Sequence, residues 1–218
     1  MEDIDSFAVV RIVDDDAGVR ESYKFLIESD SWLVKTYCSA EDFLEHDNPT
    51  VPGCVVLDVR MPGLTGLELQ NRLNEFVHKI PVIFISAHAD IEMVVKAMQN
   101  GALDFLPKPI KDESLLLAIE KAVRLDHMRR EKENEKSQVN QNWSSLSPRE
   151  QETALLIAEG LLNKQIADRL GITERTVQVH RANVFSKLGV RNAVQFAQKL
   201  MLIKSAQDDK ALSLIHIS

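Results

Sequence analysis

The chain has 218 residues, 44% hydrophobic and 27% charged, with a formal net charge of −7, a composition that suits a folded soluble protein of one or two domains. No apolar run approaches the roughly 18 residues of a membrane helix, and the acidic start Met1-Glu2-Asp3-Ile4-Asp5 lacks the basic-then-apolar pattern of a secretory signal. The two cysteines, Cys38 and Cys54, have neither a disulfide framework nor metal-ligand spacing, so a reduced, cytoplasmic setting is expected.

Residues 7–13 predict a first strand that ends in Asp14-Asp15-Asp16. Residues 18–29 carry an apolar stripe at helical spacing, 32–36 a short second strand, and Ser39 caps a helix with Glu41 and Asp42 in its first turn. The run 54–57 is apolar throughout, as in a strand buried on both faces, and it delivers Asp58 to the strand's carboxyl end before the Met61-Pro62-Gly63 break. A helix is expected over 66–77 and a fourth strand over 81–85, ending at Ser86. A helix over 91–100 is stopped by Gly101, and a fifth strand over 103–106 is closed by Pro107-Lys108-Pro109. The last helix of this series begins at Asp112 or Ser114. Five strand–helix repeats imply a doubly wound parallel sheet, an α/β unit over 6–127, with every strand's carboxyl end on one edge.

Residues 128–145 are a polar linker, either a long helix or a flexible tether, whose first half can extend the preceding helix because Glu, Lys and Arg favour helix. A new unit over 146–204 opens with Ser147-Pro148-Arg149-Glu150, a capping box with proline at the first helical position. Four short helices are predicted at 148–159, 164–170, 174–188 and 192–201, an all-α unit. The tail 205–218 fits neither domain and is set aside.

Charge divides with the domains. Residues 1–127 hold 12 Lys and Arg against 23 Asp and Glu, whereas 147–204 hold 9 against 5. An acidic half joined to a basic half suggests that the second meets nucleic acid.

The topology gathers Asp14, Asp15, Asp58, Ser86 and Lys108 on one sheet edge, where open α/β sheets bind ligands. Three converging carboxylates repel one another unless a cation sits among them, and hard oxygen donors select Mg²⁺ (or Mn²⁺). Carboxylates, a metal, a lysine and a hydroxyl make a phosphoryl site in which a carboxylate is the nucleophile. Any one of these residues alone reads as a cap or a loop residue; the combination at four strand ends does not.

Residues 7–125 resemble the receiver domain of two-component response regulators, on Asp14-Asp15, Asp58 in Leu57-Asp58-Val59-Arg60-Met61-Pro62-Gly63, Ser86, Phe105, and Lys108 in Phe105-Leu106-Pro107-Lys108-Pro109. The resemblance implies that Asp58 accepts a phosphoryl group from a sensor histidine kinase. It implies that Asp15, Asp58 and the main-chain carbonyl of Arg60 hold Mg²⁺, with Asp14 acting indirectly. Ser86 and Lys108 would contact the phosphoryl group, and Phe105 would swing inward as the switch is thrown. The surface so biased would be that of 90–100 and 103–106. Arg60 and His88, each two residues beyond a pocket residue, are expected to set phosphoryl lifetime.

In the basic unit, residues 163–177 read as helix, tight turn through Gly171, and a second helix capped by Thr173. Gln178, Val179 and Ala182 share an outward face with Arg175 and suit base edges and thymine methyls in a major groove. Lys164, Arg175, Thr176 and Arg181 are placed for phosphates. Residues 147–201 resemble the LuxR-type helix-turn-helix, on Leu146-Ser147-Pro148-Arg149-Glu150, residues 163–167, residues 176–184 and Lys187-Leu188-Gly189-Val190. The whole chain thus resembles the FixJ branch of the NarL/FixJ response regulators. That implies double-stranded promoter DNA and RNA polymerase as partners, homodimerisation on phosphorylation, and a transcription regulator that usually activates. A hydrolase with Asp58 as nucleophile would usually carry a second acid nearby, where this chain has Arg60. A dead switch would lack part of the pocket, and an RNA reader would expose aromatic residues on the outward helix face.

Overall fold

A computed structural model describes residues 8–76, 78–87, 90–192 and 194–203. Two compact units divide between Arg130 and Glu131. The first is a five-stranded, wholly parallel sheet in which β1 (Val9–Val13), β2 (Leu33–Tyr37), β3 (Gly53–Asp58), β4 (Val82–Ser86) and β5 (Asp104–Pro107) run in the order β2-β1-β3-β4-β5. α1 (Ala17–Ser29), α2 (Ala40–His46), α3 (Gly66–Asn74), α4 (Ile91–Gln99) and α5 (Asp112–Ser144) connect the strands and close the series. Strand edges fall within a residue or so of expectation, and α3 ends at Asn74, short of 77.

The sheet has a core on each face, as a buried parallel sheet requires. Val55, Leu57 and Phe84 meet Phe43 of α2, Leu69 and Leu73 of α3, and Ala97 of α4. Ile12, Val56, Ile83 and Ile85 meet Ile27 of α1 and Leu115, Ile119 and Val123 of α5. The expected caps are present. Asp16 accepts from the Gly18 and Val19 amides, Ser39 caps α2, and α4 gives way to Gly101 at φ +87°.

One strand residue departs from the apolar pattern. Arg11, in the middle of β1, is 1% exposed. Its Nε lies 2.8 Å from Asp47 Oδ2, and its guanidinium also donates to the carbonyls of Val9, Asn48 and Val51. Burial of a charge is tolerable only with such a full set of partners. Arg130 holds the same loop from α5 through the Pro49 and Thr50 carbonyls, and the fully buried Asp126 accepts from Arg129, Arg130 and the Gly53 amide. This end of the sheet is opposite the edge that carries Asp58.

The stretch read as a linker takes the long-helix alternative. It is helical to Ser144, because 112–147 contains neither Gly nor Pro and is rich in Glu, Lys, Gln and Arg. Val139, in the middle of that polar run, is fully buried in the core of the second unit.

The second unit is all-α: the end of α5, α6 (Pro148–Ala158), α7 (Asn163–Leu170), α8 (Glu174–Lys187) and a final helix, α9, at 194–203. Ile157, Ile166, Val177, Val184, Leu188 and Phe196 form its centre. The capping box of Ser147 and Glu150 forms as expected, and Gly171 closes α7 in the left-handed conformation at φ +66°. Thr173 then caps α8 through the Thr176 amide.

Candidate functional site

Asp58 ends β3 at 7% exposure, and Asp14, just past β1, is 1% exposed. Lys108, one residue past β5, joins them: its Nζ lies 2.7 Å from Asp58 Oδ1 and 2.9 Å from Asp14 Oδ2. Ser86 ends β4, is buried, and accepts the Lys108 amide at its carbonyl, which fixes the β5–α5 connection against β4. Four strands thus deliver four of the predicted residues to one pocket. Asp15 is exposed at its rim, and Arg60 is exposed just beyond Asp58. The Arg60 amide donates to Asp58 Oδ2 at 2.7 Å. Phe105 is half-buried, its ring 6.0 Å from that of Phe84. His88 lies outside the described residues, as does the tail 205–218.

The electrostatics follow from burial. Desolvation raises the Asp58 pKa above the ordinary carboxylate value, and the hydrogen bond and charge of Lys108 only partly offset it. Burial also works against the Lys108 ammonium, but hydrogen bonds to Asp58 and Asp14 outweigh it and raise its pKa. Two buried carboxylates therefore share one ammonium, with Asp15 exposed beside them, an excess of negative charge that fits a divalent cation. Among the described residues no three His, Cys, Asp or Glu side chains are gathered to enclose a metal by themselves.

Sequence reasoning missed three residues around this pocket. Arg20 donates to the Asp14 carbonyl at 2.6 Å. Tyr23 has its phenol pushed up by burial, within reach of the Lys108, Asp14 and Asp58 charges. Both lie on α1 one turn apart, a spacing that marks the face turned to the sheet edge. The third, Glu41, acts across 23 residues on the Leu64 amide, a pairing that no local pattern announces. Gly66 is also fixed by the site, since a Cβ there would lie 2.2 Å from the Asp58 carbonyl oxygen.

In the second unit Arg175, Gln178, Val179 and Ala182 are exposed together on α8, while Val177 and Val184 turn inward. Lys164 is exposed on α7. Two predicted phosphate contacts have internal partners. The Arg181 guanidinium stacks 5.3 Å above the Phe185 ring and reaches Asn163 Oδ1 at 3.4 Å, and the Thr176 hydroxyl pairs with that of Thr173. A nucleic-acid phosphate would compete with these contacts.

The ends of the unit are tied by Lys187, whose Nζ lies 2.6 Å from Glu150 Oε2 and bonds the Ser145 carbonyl. The hydrogen bond from Lys187 and the Ser147 amide pull the Glu150 carboxyl down to about 2. A depressed acid contributes stability that is complete above about pH 4.5 and is lost as pH falls toward 2. Replacing Glu150 with Gln should therefore lower the Tm of this unit at pH 7 and flatten its acid dependence between those limits. Lys187→Met should cost about 1.5 kcal/mol, the low end for a charged hydrogen bond because Lys187 is partly exposed. Thermal melts at several pH values check both.

Comparison with known proteins agrees with both units. Residues 10–120 match the family model described as response regulator receiver domain, and residues 144–200 match that of bacterial regulatory proteins, luxR family. The response regulator protein TmoT of Ectopseudomonas mendocina is 42% identical over 199 residues, covering 90% of each chain. The transcriptional regulatory protein FixJ of Azorhizobium caulinodans is 39% identical over 202 residues, covering 93% of this chain and 96% of its own. Among solved structures, the response regulator StyR superposes with a TM-score of 0.85 at 45% identity, covering 90% of this chain and 99% of that one.

Proposed function

The chain belongs to the two-component response regulators that join a receiver domain to a LuxR-type DNA-binding domain, FixJ-like proteins among its relatives, and from that premise we propose that phosphoryl transfer to Asp58 switches its binding to promoter DNA. The observation that carries the proposal is the lysine bridge: one ammonium spans Asp58 and Asp14 in a pocket assembled from four strand ends. An Asp58 carboxylate oxygen attacks the phosphorus of a phosphohistidine on a sensor kinase. A P–O bond forms, the P–N bond breaks, and the imidazole leaves with the bonding pair. Lys108 moves from Asp58 to a phosphoryl oxygen while Asp14 keeps it oriented, and the Ser86 hydroxyl meets a second oxygen. Asp15, Asp58 and the Arg60 carbonyl would hold Mg²⁺ (or Mn²⁺), with Asp14 acting through water. When bound, that ion supplies positive charge to the equatorial oxygens.

The phosphoryl group adds about two negative charges and strong acceptors. Drawing Ser86 toward it opens room for the half-buried Phe105, and β5 and α4 respond as a two-state surface. Ile91, Val95 and Met98 lie exposed along α4 at i, i+4 and i+7, an apolar stripe on which two phosphorylated copies would pair. Val194 and Met201 are exposed on α9, a second surface for a dimer on paired half-sites. Arg175 and Lys164 would bind phosphates, with Arg181 and Thr176 joining once released from their internal partners. Gln178, Val179 and Ala182 would read bases. A dimer seated at a promoter meets RNA polymerase as its further partner, and activation is the expected outcome. No helix among the described residues is long and apolar enough to cross a membrane.

Arg60 and His88 take the role of setting phosphoryl lifetime, supported for Arg60 by its exposed place beside Asp58. Arg60→Ala and His88→Ala should each change the decay rate on the order of threefold to tenfold, the scale of one ordinary hydrogen bond of about 0.7–1.4 kcal/mol. Unchanged lifetimes in both remove this role. The proposal as a whole is tested by incubating the protein with Mg²⁺ and a small phosphoryl donor. One phosphoryl mass should appear on the peptide containing Asp58; no uptake, or uptake elsewhere, refutes it.

A further inference from the structure

We propose that Glu41 of α2 is a positioning residue for the phosphoacceptor site: its carboxylate holds the β3–α3 loop so that the Arg60 carbonyl stays aligned with Asp58. This rests on reading Asp58 as the phosphoacceptor and the Arg60 carbonyl as a donor to Mg²⁺.

The loop is fixed at both ends by its own backbone. At the near end the Val59 amide bonds the Ile85 carbonyl, and the Arg60 amide bonds Asp58 Oδ2. At the far end the Gly66 amide bonds the Val59 carbonyl, and Gly66 packs against the Asp58 carbonyl. Between these ends Met61 is sunk into the core, which anchors the loop from beneath. Its outer side is held by Glu41, whose Oε1 accepts the Leu64 amide at 2.9 Å. Gly63 is shaped for the same contact. It sits at φ +77°, and a Cβ there would lie 2.6 Å from Glu41 Oε1. Glycine thus supplies the left-handed turn and leaves room for the carboxylate.

Glu41 is therefore more than a first-turn acid that suits the helix dipole. The Leu64 amide holds its carboxyl below the usual glutamate range, so the carboxylate is ionised and accepts a charge-assisted bond. Releasing it loosens the loop beyond Met61, and the Arg60 carbonyl, in the peptide that leads into Met61, loses one constraint on its orientation. A carbonyl donor displaced by even about 1 Å is a poor ligand for an ion with the strict octahedral geometry of Mg²⁺.

The test titrates the full-length protein with Mg²⁺ alone, following amide chemical shifts in the pocket, and separately measures phosphoryl uptake from a small donor. Glu41→Ala should weaken Mg²⁺ binding about tenfold, the scale of one charge-assisted hydrogen bond, with Tm in chelator unchanged. Glu41→Gln, which keeps an acceptor oxygen for Leu64, should recover most of the affinity. Wild-type affinity in Glu41→Ala overturns the proposal. So does a loss that merely tracks a lowered Tm in chelator, or a Gln variant no better than Ala. A wild-type protein that neither binds Mg²⁺ nor takes up phosphoryl groups refutes the Asp58 assignment itself, a result distinct from all of these.

Discussion

Asp58→Asn is expected to abolish phosphoryl uptake completely and to leave DNA affinity at the unphosphorylated level whether or not a donor is present. An asparagine oxygen can still accept the Lys108 ammonium that now lies 2.7 Å from Asp58 Oδ1, while the bond that the Arg60 amide makes to Oδ2 is lost. The amide lacks the negative charge and nucleophilicity of the carboxylate, so no P–O bond forms. The quantity lost is the coupling between the two domains, for which allosteric proteins typically spend about 1–3 kcal/mol, roughly 5- to 150-fold in affinity. The fold should not suffer. Burial raises the Asp58 pKa, so its ionised form is penalised in the folded state, and a neutral isostere relieves that cost. Tm should hold or rise. Intact mass, Tm and DNA affinity of the variant with and without donor decide the matter. A variant that still gains affinity with donor would assign the switch to another residue.

The second large effect belongs to α8. Gln178→Ala should reduce affinity for the specific site by about 1–3 kcal/mol, roughly 5- to 150-fold, with little change on unrelated DNA, because a glutamine reads base edges. Arg175→Ala should weaken binding to all sequences alike and lower the slope of log affinity against log salt by about one, because its proposed partner is a phosphate. Both side chains are exposed and have no part in the core, so the unit should remain folded. Titrations of specific and unrelated duplexes at several salt concentrations separate the two roles. If both variants lose affinity equally on both duplexes, the outward face of α8 does not read sequence.

Much of this is legible in the sequence. The alternation of short apolar runs with helical stripes gives the parallel sheet, and right-handed crossovers then bring Asp14, Asp58, Ser86 and Lys108 to one edge. The sequence pattern also carries Gly171 and Thr173 as the turn of the helix-turn-helix. What was not legible depends on partners far apart in the chain. Arg11 interrupts an otherwise apolar strand and is intelligible only once Asp47 and the loop carbonyls are seen around it. Glu41 and Lys187 resemble ordinary surface charges until Leu64 and Glu150 appear beside them. Val139 is a single apolar residue in a polar run, too little to form a periodic pattern, yet it is buried. The length of α5 was readable from the absence of Gly and Pro between 112 and 147, but its polar composition made a linker the simpler expectation.

The residues that follow Asp58 favour the proposed switch over a hydrolase. A hydrolase of this kind would usually carry a second acid shortly after its nucleophile. Two residues beyond Asp58 stands Arg60, whose amide binds the carboxylate. On the proposed reading the pocket accepts a phosphoryl group and holds it, and Lys108 and Ser86 transmit its arrival. The coupling of that event to α8 is the step on which function depends. It is tested most directly by measuring molecular mass in solution and promoter-fragment affinity on the same sample, with Mg²⁺ and with or without beryllofluoride, at several salt concentrations. Beryllofluoride should raise both, to the mass of a dimer and by roughly 5- to 150-fold in affinity. Equal mass and equal affinity in the two states would contradict the switch and leave a constitutive DNA-binding protein.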